Sequence, residues 1–198
     1  MPPTNRCVCI SYGKDGIDTR FCQSDNARMK SHSAETRVVS ATKKDIPLIR
    51  ELILELAEYE RALPGEAPVT EKDLADTLFG KRPAAEVIIA WLGGAPAGFA
   101  LFFHNYSTWL GKRGIYLEDL FVRPAARKHG VGFALIRAVA KIAVDRDCGR
   151  LDWSVLNWNQ LAIDFYKQIG AKALDDWTSF RLSGDSLAQI AGQRSKLR

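Results

Sequence analysis

From residue 115 onward the chain follows a pattern that few folds allow. An apolar run, IYLEDLFV (residues 115–122), gives way to a loop, a long amphipathic stretch (130–146) and a second apolar run (151–156). Strand, helix and strand at this spacing form a parallel pair with a right-handed crossover, because a tight hairpin joins only antiparallel strands. Inside the first run stand two adjacent carboxylates, Glu118 and Asp119. Side chains alternate faces along a strand, so the two share a face only if the backbone bulges; otherwise at least one faces an interior. An unpaired carboxylate is costly to bury, so a cation, a hydrogen-bond network or chemistry must answer it.

The preceding segments supply the rest of the sheet. A short strand is expected through Val38 and Val39. Thr42 and Asp45 have capping-box spacing ahead of Pro47, and Ile46, Ile49, Ile53 and Leu56 recur at helical period, which predicts a helix to about Tyr59 or Glu60. Thr70 caps a second helix bearing Leu74 and Leu78. Residues 87–92 and 99–103 read as a hairpin about Gly93 and Gly94, followed by a polar loop, HNYSTWLGKRG. A helix over 159–169 follows the crossover, and residues 172–174 and 178–182 are expected as edge strands. The fold class is therefore α/β, a mixed sheet flanked by helices.

At 198 residues, with 46% hydrophobic and 26% charged, the chain suits one globular domain with an extension. Residues 1–35 hold no sustained apolar period and read as a flexible extension before a domain over 36–198; Met29 raises the expectation that translation starts there. The net charge of +5 is scattered in small clusters, which argues against nucleic acid but suits a polyanionic cofactor. No run approaches the ~20 apolar residues of a membrane span, and MPPTNRCVCISYG lacks the apolar core of a signal peptide, so the expectation is a cytoplasmic protein with no membrane partner. Cys7, Cys9, Cys22 and His32 match no common zinc spacing; no metal is expected, and the thiols, Cys148 included, read as reduced and inert.

RPAARKHGVGFALIRAV leads straight from the acidic strand into the long helix. The first amides of a helix lack intrahelical acceptors and carry the positive end of its dipole. Gly130 and Gly132 let an anion approach them, and Arg127 and Lys128 add charge, which together suggest a diphosphate site. Tight helix packing is the other reading of these glycines. A dinucleotide fingerprint would place a small residue where Leu135 stands, and a P-loop would follow its glycine with Lys and Ser or Thr; neither pattern is present.

With YLEDLFVRP, the Arg127 to Gly132 spacing and VLNWNQLAIDFYKQIGA (155–171), residues 36–185 resemble the GNAT superfamily of N-acetyltransferases. Within it they are similar to the diamine (spermidine/spermine) acetyltransferases and to relatives that acetylate side-chain amines of basic amino acids. The resemblance implies a sheet splayed between the strands holding Glu118 and Asp152, acetyl-CoA as co-substrate, and a homodimer. It also implies that Leu120, Phe121 and Val122 line the pantetheine arm. Lys128, His129, Gly130, Val131, Gly132 and Phe133 would hold the pyrophosphate, and Asn159, Gln160, Leu161 and Ala162 would touch the same ligand.

An alkyl ammonium has a pKa near ~10.4 and must lose a proton before it can attack a thioester. The resemblance puts Glu118 in that role, with Asp119 and Asp152 drawing the cation; from the strand pattern alone Glu118 could equally be half of an ion pair. Tyr166, on a helix face with Ala162, Phe165 and Ile169, reads as core by period and as the acid that protonates the leaving thiolate by resemblance. Tyr59 and Glu60 match a pair that contacts the amine, and Trp109 offers an aromatic wall for a cation. Diamine enzymes that prefer spermidine carry an acid near Ser107, which this chain lacks; YSTW is similar to the relatives acting on thialysine, lysine or ornithine. The expected reaction is acetyl transfer to a primary amine of a small cationic substrate, by direct attack in a ternary complex. A peptide-amine acetyltransferase and a non-catalytic acyl-CoA sensor are the alternatives.

Overall fold

The structure, a computed structural model, describes residues 35–63 and 65–192. Expectations for the first 34 residues, including the cysteine cluster and Met29, lie outside the described residues. Five strands form one sheet in chain order: β1 (Thr36–Ser40), β2 (Glu86–Leu92), β3 (Ala95–Ser107), β4 (Lys112–Val122) and β5 (Leu151–Trp153). All neighbours run antiparallel except β4 and β5, the parallel pair joined by the crossover. The helices are α1 (Ile46–Tyr59), α2 (Glu71–Leu78), α3 (Val131–Asp145), α4 (Gln160–Gln168) and α5 (Gly184–Ile190).

Each early helix starts where its capping chemistry stands. The Asp45 carboxylate accepts from the Thr42 backbone N–H at 2.7 Å ahead of α1. At α2 the exchange is reciprocal, with Asp73 N–H donating to the Thr70 hydroxyl at 3.1 Å and Thr70 N–H to the Asp73 carboxylate at 3.0 Å. The sheet is covered on both faces. α3 buries Val131, Leu135, Ile136 and Val139 against Ala100, Phe102, Ile115 and Leu117. α1 and α2 bury Ile49, Leu52, Leu56, Leu74 and Leu78 against Ile89, Phe99 and Phe121 on the other side. Leu52 rather than Ile53 completes the buried stripe of α1; Ile53 is only partly covered.

Three expectations are corrected. The segment HNYSTWLGKRG is mostly strand: β3 runs on to Ser107 and β4 starts at Lys112, leaving a turn over 108–111. Polar residues extend a hairpin beyond the core because cross-strand backbone bonds hold it without burial. The strand expected to Leu156 ends at Trp153. Residues 172–174 and 178–182 form no strand, since no strand of the described chain pairs with them; α5 follows instead, short and without a buried residue. A helix opening on glycine without an apolar stripe leaves little to read in a sequence.

β4 is fastened at its end. Arg123, the residue after it, donates Nε–H to Glu55 at 2.9 Å and Nη1–H to the Pro96 carbonyl at 3.2 Å, and also pairs with Glu51. Both acids lie on α1, so the network fixes the strand end against that helix. Gly98 serves the same junction from β3: it pairs with Val122, and a Cβ there would run into the Phe121 carbonyl oxygen. Gly98→Ala must push β3 from β4, and overpacking of this kind costs about 1–3 kcal/mol. A urea midpoint lowered at unchanged slope, by the equivalent of that stability loss divided by the slope, is the expected result.

Candidate active site

The two acids of β4 mark a bulge. Leu101 pairs with Asp119 and Phe102 with Leu117, so Glu118 is the extra residue. The insertion switches the alternation of the strand: Ile115 and Leu117 face α3 before it, Leu120 and Val122 after it, and Phe121 packs toward α1 and α2. Glu118 is exposed and Asp119 partly buried. The ladder between β4 and β5 also stops here, at Leu117 with Trp153. Beyond it the strands part, and the β4 edge from Asp119 to Val122 borders a cavity of about 1020 Å³, at the upper end of the size usual for ligand sites.

One end of the cavity is built for an anion. Arg127 is followed by Lys128 in the left-handed region (φ 64°) and Gly130 (φ 77°), a turn that delivers the chain into α3. A non-glycine residue at such a φ is strained and persists only where its surroundings hold it. The amides of Gly130, Val131, Gly132 and Phe133 find no backbone acceptor among the described residues. A Cβ at Gly132 would sit 3.7 Å from Val122, in the space between helix start and strand end. These residues fit a pyrophosphate group and its pantetheine arm. The free β4 edge offers backbone groups to the arm, although Arg127 Nε already donates to the Val122 carbonyl at 3.1 Å.

The other end is acidic. Glu60, Glu118 and Asp119 line it together. Burial first, then the charges of Glu118 and Glu60, push the Asp119 carboxyl up to about 6; desolvation raises Glu60 as well. α4 closes the side. Asn159 caps it by accepting the Ala162 N–H at 3.3 Å, and Tyr166 projects into the cavity with its ring 5.0 Å from Trp153. Burial pushes the Tyr166 hydroxyl up to about 12, so it keeps its proton throughout the neutral range.

Tyr59, Leu120, Phe121, Val122, Arg127, Lys128, Val131, Phe133, Leu161 and Ala162 also line this space. Four expected residues do not. Trp109 stands at the tip of the β3–β4 hairpin, 89% exposed. Asp152 is held by Arg150 at 2.8 Å and by Asn105 at 3.0 Å. The His129 ring turns back to the Arg127 carbonyl at 2.8 Å, and the Gln160 amide donates to Asp164 at 2.6 Å. Sequence reasoning missed Tyr116 and Ser154, whose hydroxyls meet at 2.8 Å where the strands part, and Ser179, Phe180 and Arg181 beyond α4. Tyr116 was within reach, lying two positions before Glu118 on an alternating strand; nothing in the pattern marked the other four. Among the described residues no group of three or more acids, histidines or cysteines is placed to hold a metal ion, and no helix is long and apolar enough to cross a membrane.

Residues 51–171 match the Acetyltransferase (GNAT) family. A thialysine N-epsilon-acetyltransferase from Bos taurus is 38% identical over 77% of this chain and 95% of its own. An L-ornithine N5-acetyltransferase from Arabidopsis thaliana is 35% identical over 80% of this chain and 89% of its own. Among solved structures, an integron cassette protein from the mobile metagenome of V. cholerae superposes with a TM-score of 0.67 at 29% identity, over 79% of this chain and 97% of the other.

Asp119 carries a testable stability signature. Its folded-state pKa lies above its unfolded value near ~3.9, so the native chain binds more protons through that window and loses stability as pH rises from about 4 to 6. The penalty is complete at neutral pH. Asp119→Asn should therefore raise the melting temperature at pH 7.5, by roughly 1–3 kcal/mol in stability, and leave it nearly unchanged at pH 3.5.

Proposed function

The chain belongs to the acetyltransferase (GNAT) family of acyltransferase enzymes, and from that premise we propose that it acetylates the side-chain amine of a small basic amino acid, or a short diamine. The observation that carries the reading is the meeting in one cleft of the anion-binding start of α3, the three acids Glu60, Glu118 and Asp119, and Tyr166. The relatives named for thialysine and ornithine support the substrate class. Acetyl-CoA, the co-substrate that the family implies, supplies an activated thioester when bound.

The proposed reaction is direct attack in a ternary complex. Lys128, Gly130 and Gly132 hold the pyrophosphate end, while Glu60 and Asp119 attract the ammonium to the opposite end. Glu118, placed by the bulge at the parting of the strands, accepts the amine proton directly or through one water. Tyr166 donates a hydrogen bond to the departing sulfur. With a pKa near 12 against ~8.5 for an ordinary thiol, its first role is to stabilise the thiolate rather than to surrender the proton outright. A homodimer is part of the reading, supported by the exposed apolar side chains of Trp177, Phe180 and Leu182 beyond α4.

A thiol-release assay with acetyl-CoA against thialysine, lysine, ornithine, spermidine and a lysine peptide tests the function. Turnover confined to the small amines is expected; release with the peptide alone, or with none, overturns it. Glu118→Gln should lower kcat/KM by roughly 10²-fold at pH 7. The deficit narrows as pH climbs toward the amine pKa of ~10.4, where more substrate is already neutral. Tyr166→Phe should lower kcat by roughly ten-fold or more while acetyl-CoA still binds.

A further inference from the structure

Tyr59, the last residue of α1, stands where three separate segments of the cleft meet. The Arg127 guanidinium lies over its ring, 4.6 Å from the centroid. Phe121 of β4 and Trp158 ahead of α4 pack beside it at 6.4 and 5.9 Å. Its hydroxyl donates to the Asn159 side-chain oxygen at 3.2 Å, the same oxygen that caps α4. Two helical turns along α4 comes Tyr166.

We propose that Tyr59 is a positioning residue that couples occupancy of the phosphate turn to the placement of Tyr166. The inference rests on the roles given above to that turn and to Tyr166. α4 contains no fully buried side chain, so packing alone holds it weakly and its cap weighs heavily. Arg127 directly precedes the turn, with Nε committed to Val122, and an anion seated on the turn draws the other guanidinium edge and fixes its plane. The ring beneath is then held, and through its hydroxyl so is the Asn159 oxygen that sets the start of α4. The hydroxyl is thereby spent inside the protein; amine recognition falls to Glu60 and Asp119.

Tyr59→Phe separates this role from a brace, because it keeps the ring under Arg127 and removes only the bond to Asn159. Hydrogen exchange of the second turn of α4, residues 165–168, is followed with and without coenzyme A. The parent should slow several-fold on binding, and Tyr59→Phe should not, although its coenzyme A affinity stays within about two-fold. Under turnover Tyr59→Phe should lose roughly three- to ten-fold in kcat, the worth of one hydrogen bond. Adding Asn159→Ser, which retains a capping oxygen, should cost nothing more than Asn159→Ser alone. Equal slowing of exchange in the parent and in Tyr59→Phe overturns the coupling, as does a kcat loss that only follows a lowered melting temperature. The exchange readout needs no amine: a parent that binds coenzyme A but acetylates none of the amines refutes the proposed reaction while the coupling is still decided. A parent that binds no coenzyme A refutes both.

Discussion

A single inserted residue in β4 sets the geometry of this molecule. By adding Glu118 to one side of the β3–β4 ladder, the bulge reverses which side chains face α3, and the β4–β5 ladder ends one residue before it. Had β4 stayed regular, Leu120 and Val122 would have pointed to the face of α1 and α2. Instead the strand keeps an apolar face toward α3 on both sides of the insertion and places two acids at the parting. An edge that would otherwise be capped by β5 becomes a wall of the cleft. The Arg123 network and the close approach at Gly98 hold that wall to α1 and β3.

The cleft is assembled from segments far apart in sequence, and each arrives by a different physical route. The start of α3 is placed by the parallel crossover, whose helix must pack back on the sheet it leaves. Glu60 is carried by the end of α1, whose length follows from the cap at Thr42 and the buried stripe to Leu56. Tyr166 depends on α4, which has the thinnest support. Its partners Trp153 and Phe165 are only partly covered.

Much of this was legible because it is local. The caps at Thr42 and Thr70, the helical period of α1 and α3, and the glycine turn before α3 each sit within a few residues of their consequence. Two adjacent acids on a strand left two courses, a bulge or a carboxylate turned to an interior, and the structure takes both in part, with a bulge at Glu118 and Asp119 partly buried. What was not legible is pairwise and distant. Nothing near Asp152 announces that the Asn105 amide donates to it from another strand, alongside its neighbour Arg150, nor does YSTW disclose that Trp109 rides a hairpin tip away from the cavity. The expected strands at 172–174 and 178–182 had suitable side chains but pair with neither outer edge of the sheet in the described chain, and a strand is defined by its neighbour. Ser179, Phe180 and Arg181 reach the cleft from that same stretch, unmarked by any motif.

The separation of sign along the cleft has a kinetic consequence. Arg127, Lys128 and Arg181 border the same cavity as Glu60, Glu118 and Asp119, yet the chain carries a net positive charge overall. A polyanion approaching from solvent is drawn by both the overall charge and the local field. A small cation is repelled at long range and attracted only within about a Debye length, ~8 Å at physiological salt. For the proposed co-substrate and amine, added salt weakens the attraction of the first and the long-range repulsion of the second, so ionic strength shifts which of the two limits the rate of encounter.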